Sequence, residues 1–505
     1  MRPFAENFPF FCIFLALGAG ILSAVLPGGR AARRLTLTVC AADFLLSAGV
    51  LAYTYGGQIS FVYTMGRFPA PYGNAIQGGP WQALLAMTFS SVMGLSLLGG
   101  SRDLFRDVRP DRQPLYFTMV DLTLASLLVL TYTADVFTGY VFIEISTLAA
   151  CALVMAKDTG PNLVAALRYL FMSLLGSSMF LLGLTLLNSI TGYLLMEPLA
   201  SAVEQLWTVD AYHLPLRAAV ALIVVGLGVK SAMYPFHLWL PDAHGGATTA
   251  SSAILSGLVL KGYIALEILL LVRVFSLELM RQLGVADVLL ALGLLGMVMG
   301  SVSAMREHHI KRMLAFSSVA QIGYVFMGLG LGSEAGLLAS CFHVLVHACC
   351  KPLLFCCAGR LSTVSAHHHS LRALRGSAYR DVTAGVGFTM GALSMIGIPL
   401  FGGFVSKLYF ASASLYSGRM TLVLAGIALS TVLNALYYVP AVLSIWGIAP
   451  EELKAEVRRD TRPEDMAFDR CFTVSAVVLM VFLVALGTLY GPITDVLRVG
   501  LTLLK

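Results

Sequence analysis

The chain has 505 residues, 58% of them hydrophobic and 12% charged, with a mean hydropathy of +0.83 and a formal net charge of +6. A soluble domain carries about 25% charged residues, so this composition excludes a soluble globular protein and describes an all-α polytopic membrane protein. Alternating strand patterns are absent, which sets a barrel aside, and the positive charge reads as loop topology before nucleic-acid binding.

A membrane-spanning helix needs about 20 apolar residues. Fourteen such spans follow in chain order, over 8–27, 35–55, 80–99, 114–133, 136–155, 163–191, 217–239, 249–275, 285–305, 312–331, 335–359, 382–412, 421–447 and 468–492. The first lacks a strongly basic start and is expected to be a retained span, not a cleaved signal peptide. Loops after odd-numbered spans hold 19 basic residues and the other side holds 8. Basic residues favour the cytoplasmic side, so both termini are expected outside. Of the remaining basic residues, Arg168 and Arg470 lie near span ends, where they can snorkel. Lys230, Lys261, Lys351 and Lys407 lie deeper.

Spans 4–8 and 9–13 read as two versions of one design. Each carries a lysine beside helix breakers in its fourth span. In span 7 the order is Lys230 then Pro235, and in span 12 it is Gly397, Pro399, Gly402, Gly403 and then Lys407. Interrupted segments at matching positions point to inverted repeats around a midplane site. Five spans per unit, an odd number, forces opposite orientations for the two copies. The expected divisions are 1–113 for spans 1–3, 114–275 for the first repeat, 285–447 for the second, and 448–505 for a cytoplasmic loop and span 14.

A lysine at the centre of a span costs at least roughly 2.5–3.5 kcal/mol, and a proline inside it removes a backbone hydrogen bond. Both are tolerated where the backbone faces protein or trapped water. Glu144, in the run Val141-Phe-Ile-Glu-Ile, is the natural partner of Lys230; the bland alternative is a protonated or hydrogen-bonded carboxyl. Lys261 is flanked by Gly257 and Gly262, which let a neighbouring helix come close. His343, His347 and Lys351 are four apart and share one helix face. Histidine titrates near neutrality and a desolvated lysine moves toward it, so such a row can relay protons. A polar face satisfied by adjacent helices is the alternative, and zinc on His343 and His347 lacks a third ligand. Lys407 reads as a terminal gate. His367–His369 is expected to be a solvated loop, or less favourably a metal tract. Cys349-Cys350 and Cys356-Cys357 read as small packing thiols. No nucleotide-binding, zinc-protease or haem motif is present, and no cofactor or metal is expected.

These residues resemble the antiporter-like membrane subunits shared by respiratory complex I, Mrp-type sodium/proton antiporters and membrane-bound energy-converting hydrogenases. The matching stretches are Ala134-Asp-Val-Phe with Phe142-Ile-Glu144; Lys230-Ser-Ala with Pro235-Phe-His-Leu-Trp-Leu-Pro-Asp-Ala-His244; Leu255-Ser-Gly with Lys261; Lys311-Arg-Met-Leu-Ala-Phe-Ser-Ser; His343, His347 and Lys351-Pro-Leu-Leu-Phe; and Gly397 to Lys407. The resemblance implies fourteen helices, inverted repeats and residue roles. Glu144 would modulate Lys230. Lys261 and His347 would sit on a hydrophilic axis with His343 and Lys351 alongside, and Lys407 would end the second half-channel. It implies a bacterial or archaeal cell membrane, and partners among other membrane subunits, including related antiporter-like or small ones, with or without a peripheral redox arm. The stretch Met65 to Asn74 is similar to a loop of Mrp-type and hydrogenase-linked members. The chain ends soon after span 14, so a long C-terminal lateral helix is not expected. The expected function is proton translocation along the buried Lys/His/Glu axis, with or without Na+ coupling. The alternatives are a proton-coupled module of inorganic-carbon uptake and a structural subunit with a silent axis.

Overall fold

The computed structural model describes residues 4–65, 68 and 74–504. Most of the 65–74 loop, and Arg2, Arg67 and Lys505 of the charge count, lie outside these residues.

Among the described residues, 13 helices are long and apolar enough to cross a membrane. The remaining expected span, over 382–412, is two shorter helices, Val382–Ile396 and Gly402–Leu415. Apolar composition makes the spans, and local chemistry ends them. Pro9, Pro80, Pro114 and Pro161 stand in the first turns of spans 1, 3, 4 and 6, where a missing N–H costs nothing. Asp135, Ser333, Asp381 and Asp469 cap spans 5, 11, 12 and 14 by accepting from backbone N–H groups.

Spans 8 and 11 are buried throughout, and span 10 almost throughout. These three form the centre of the molecule. Spans 2, 13 and 14 each bury about a third of their surface or less, and form the rim. Small residues draw neighbouring helices together. A Cβ on Gly323 of span 10 would lie 2.6 Å from the carbonyl oxygen of Gly293 in span 9, and one on Gly226 of span 7 would lie 2.6 Å from that of Gly176 in span 6.

Several elements differ from the expectation. The span 7 helix stops at Lys230, five residues before Pro235, and a short helix, Trp239–Gly246, follows an irregular stretch. Span 8 contains π-helical turns at Leu255–Val259 and Leu270–Val274. A two-stranded antiparallel hairpin, β1 (Phe61–Thr64) and β2 (Ala75–Gly78), joins spans 2 and 3 and pairs Phe61 with Gly78. Span 14 ends at Thr488, and a separate amphipathic helix, Tyr490–Thr502, closes the chain.

Candidate functional site

The break in span 7 makes Lys230 the last helical residue, with its side chain wholly buried. Its Nζ lies 3.3 Å from Glu144 Oε1 and donates to Thr147 Oγ1 at 2.6 Å. Both partners stand on span 5, and Ser177 of span 6 donates to the same carboxylate oxygen. Glu144 is not buried as expected: 25% of its side chain is exposed, so one end of the pair is sealed and the other is open at the rim of the chain. The close approach of Gly176 and Gly226 sets this geometry, since a Cβ on Gly176 would also lie 3.1 Å from Lys230 Cγ.

Tyr263 of span 8 links this pair to the centre. Its ring centroid is 5.6 Å from Lys230 Nζ, and its hydroxyl is 3.2 Å from Ser146 Oγ. Lys261, on the same helix, donates to the carbonyl of Ser256. Ser256 lies in the π-helical turn, whose wider winding frees backbone groups. Gly257 receives Pro352 of span 11, so that helix packs directly on the turn before Lys261. The Ser256 hydroxyl is 2.8 Å from that of Ser318 in span 10.

Beside Ser318, Lys351 donates to the Leu314 carbonyl at 3.0 Å and Ser317 Oγ at 2.9 Å, with the Tyr438 hydroxyl at 3.4 Å. Ser317 also receives the Tyr437 hydroxyl at 2.9 Å, and Tyr437 bonds Asn434. On the face shared with Lys351, the His343 and His347 rings stack at 6.1 Å and 10°. His343 Nδ1 is 2.9 Å from Ser406 Oγ. Ser406 precedes Lys407, which donates to the Ile396 carbonyl at 2.6 Å and to Thr431 Oγ1 at 3.1 Å. Ile396 is the last helical residue before the span 12 break, so the break supplies the acceptor. Gly397 follows it at φ +96°, where a Cβ would lie 2.8 Å from Lys407 Cδ. Glycine is therefore required there.

Of the seven expected residues, Glu144 and Lys230 pair directly and His343 and His347 stack, while Lys261, Lys351 and Lys407 each donate to a backbone carbonyl. Hydroxyls that sequence spacing does not single out stand beside individual members of this set: Thr147 at Lys230, Ser177 at Glu144, Ser317 and Tyr438 at Lys351, and Ser406 at His343. Nε2 of both histidines and both polar atoms of Gln321 are buried without a hydrogen-bond partner. The row therefore holds spare donors and acceptors.

Among the described residues, three fully buried acids inside spans are not among the expected site residues: Asp43, Asp121 and Glu267. The signal that finds them is the one used for Glu144, an ionisable residue inside an apolar run. His244 is also buried, and stacks on Phe355 at 4.9 Å.

The His367–His369 tract is not freely solvated. His367 Nε2 lies 3.2 Å from Asp465, His369 Nδ1 lies 3.0 Å from Ser362 Oγ, and the His369 and His309 ring centroids lie 4.9 Å apart with the rings tilted by 37°. Burial, and then the Lys311 charge, push His309 down to about 4 and His369 to about 2. The nine cysteines are free, and among the described residues no group of three or more His, Cys, Asp or Glu is placed to hold a metal ion.

Comparison with known proteins places the chain, by sequence and by fold, among relatives. Residues 133–433 match a family described as NADH:quinone oxidoreductase/Mrp antiporter, TM. NADH-quinone oxidoreductase subunit N of Desulforudis audaxviator is 33% identical over 408 residues, covering 80% of this chain and 79% of the relative. A subunit of the Na(+)/H(+) antiporter of Bacillus subtilis is 24% identical over 460 residues, 90% of each chain. A chain of the Mrp complex from Dietzia sp. superposes with a TM-score of 0.84 at 23% identity, covering 99% of this chain and 97% of that one.

Proposed function

The chain belongs to the NADH:quinone oxidoreductase/Mrp antiporter transmembrane family, and from that premise we propose that it moves protons along the lysine–histidine row as one subunit of a larger membrane complex of the complex I or Mrp kind. It is a multi-pass integral membrane protein with the antiporter-like fold. The inorganic-carbon alternative is not favoured by these relatives.

The Glu144–Lys230 pair carries this reading. A buried ammonium is tolerated only while paired and hydrogen bonded. Thr147 and Glu144 fulfil both needs, and Glu144, being partly exposed, is within reach of a neighbouring subunit. When Glu144 is drawn away, the unpaired ammonium sheds its proton toward the centre. The proton passes by the Tyr263 and Ser256–Ser318 hydroxyls to Lys261 and Lys351, then along His347 and His343 to Lys407. Protons enter near Lys230 and leave near Lys407. Residues 114–275 and 285–447 act as two inverted half-channels, flanked by 1–113 and 448–505, with both termini outside. The partners are other membrane subunits, and the driving energy comes from a redox arm or from a sodium gradient.

The test is transport in the assembled complex. Lys230→Ala or Glu144→Gln should abolish proton translocation while the variant still co-purifies with its partners. Wild-type transport in either assembled variant would refute the mechanism. The co-purifying subunits identify the assembly: iron–sulfur proteins indicate a redox complex, and small membrane proteins alone indicate an antiporter.

A further inference from the structure

Spans 1, 2 and 4 enclose a second polar column that the lysine–histidine row does not touch. Thr36, Cys40, Asp43 and Ser47 follow one another at four, three and four residues along span 2, and so share one face. All four are buried, as are Cys12 and Ser23 of span 1 and Asp121 and Tyr132 of span 4. The residues sort into two levels. At the first, Ser23 Oγ donates to Asp121 Oδ2 at 2.8 Å, and Thr36 lies beside that carboxyl. At the second, Cys12 Sγ lies 3.8 Å from Ser47 Oγ and 3.8 Å from the Asp43 carbonyl oxygen. Cys40 stands between the levels and is an electrostatic neighbour of both acids.

The polar groups of the column are sparsely bonded: no hydrogen bond of ordinary geometry reaches the Asp43 carboxylate, Asp121 Oδ1, the Thr36 hydroxyl or the Tyr132 hydroxyl, although Cys12 lies beside Asp43, Thr36 beside Asp121 and Ser47 beside Tyr132. Among the described residues, no basic side chain pairs with either acid. The titratable groups facing them are Cys12, Cys40 and Tyr132. Two unpaired anions in such a place would each cost several kcal/mol, whereas two neutral acids are tolerable.

A surface cavity lies beyond the Thr36 end of the buried column. It measures about 550 Å3 and is lined by Gly28, Arg30, Arg33, Phe105 and Gln113. Arg33 stands one turn before Thr36, and its buried Nε has no partner.

We propose that spans 1, 2 and 4 hold a second proton-carrying column, with Asp121 and Asp43 as its two stations and the cavity at Arg33 as its mouth. A proton from water in the cavity joins the Asp121 carboxylate. That carboxylate is the one vacancy in a column otherwise protonated: Asp121 loses its proton to the same water, Asp43 can refill it by way of the thiol of Cys40, and the vacancy at Asp43 is refilled by the reverse path, so that only one of the two acids is ionised at a time. This column exchanges protons with the face that bears Arg30 and Arg33, and works without Lys230.

The experiment is carbodiimide labelling of the assembled complex in its membrane, read by mass spectrometry at each carboxyl. The reagent attacks protonated carboxyls in apolar surroundings. The expected result is labelling at Asp121 and Asp43 that falls as the pH on the Arg33 side rises, and that persists in Lys230→Ala. In Asp121→Asn the labelling rate of Asp43 should fall at least about five-fold, while Asp43→Asn leaves Asp121 labelling unchanged. Label at neither acid, label indifferent to pH on that side, or an unchanged Asp43 rate in Asp121→Asn would each overturn the proposal. Co-purification of partner subunits establishes that both isosteric variants are assembled, and loss of the Lys230 mechanism alone leaves these outcomes readable.

Discussion

Ser317 serves two groups at once. It accepts from Lys351 Nζ and from the Tyr437 hydroxyl, both at 2.9 Å, so one hydroxyl fixes the position of the central lysine. A hydrogen bond of this kind contributes about 1 kcal/mol. Ser317→Ala should therefore slow proton transport in reconstituted vesicles about five-fold without loss of assembly, and an unchanged rate would place Lys351 off the path. At the loop edge, the His309–His369 contact is a second residue-scale device. Both rings are held well below the ordinary histidine value of about 6.5. Below that pH the unfolded chain binds protons that the folded rings refuse. The stability the pair contributes is thus complete above about pH 6.5 and is lost as pH falls, toward about 4 for His309 and lower still for His369. Amide protection of residues 366–371, measured by hydrogen exchange, should fall over that window, and His369→Gln should flatten the dependence.

At the scale of elements, the breaks matter more than the helices. Two of them place a backbone carbonyl where a lysine needs an acceptor: the Ile396 carbonyl serves Lys407 at 2.6 Å, and the Ser256 carbonyl in its π-helical turn serves Lys261. Span 7 uses its break differently, ending the helix at Lys230 so that the ammonium turns to span 5. The contact between spans 6 and 7 holds that geometry. In Gly176→Ala the new Cβ would fall 2.7 Å from the Gly226 carbonyl oxygen, a backbone atom that can yield only if the helices part. Overpacking of this kind costs about 1–3 kcal/mol. The expected outcome is a lower unfolding temperature in detergent together with loss of transport, because Lys230 is carried away from Glu144. Transport retained at a normal rate would mean that the pair tolerates the displacement. Capping makes a gentler test: Asp135→Ala removes the 2.6 Å bond to the Thr138 N–H that begins span 5. It should cost about 1 kcal/mol of stability and leave transport largely intact, since Glu144 lies more than two turns farther along.

On the scale of the whole molecule, a knot of charge ties distant parts of the chain together. Arg360, at the end of span 11, pairs with Asp381 at 2.6 Å and donates to the carbonyls of Asp465 and Ala467, both at 2.9 Å. Arg102 donates to the Ala467 carbonyl at 2.9 Å, and Arg106 and His367 reach the Asp465 carboxylate. Breaking a buried pair costs about 3–5 kcal/mol, so Arg360→Ala should be among the most destabilising single changes, read as thermal unfolding in detergent. A shift no larger than that of Asp135→Ala would show that the knot is ornamental. The many spans, the breaks in spans 7 and 12, and the buried lysines and histidines follow from sequence alone, because an ionisable residue or a proline in an apolar run is costly enough to be visible without neighbours. Composition could not show that span 7 ends at Lys230, that span 8 widens into a π-helical turn, or that Glu144 is partly exposed. Those outcomes depend on which glycines face each other and on which helices surround each side chain. The hydroxyls are the clearest case. Serine and threonine are unremarkable in any membrane helix, and only the packing of spans 8, 10 and 11 brings Ser256 to Ser318 and Lys351 to Ser317 within hydrogen-bonding range. Asp43 and Asp121 divide the same way: their cost is written in the sequence, but their meeting on one column required three helices to fold around them.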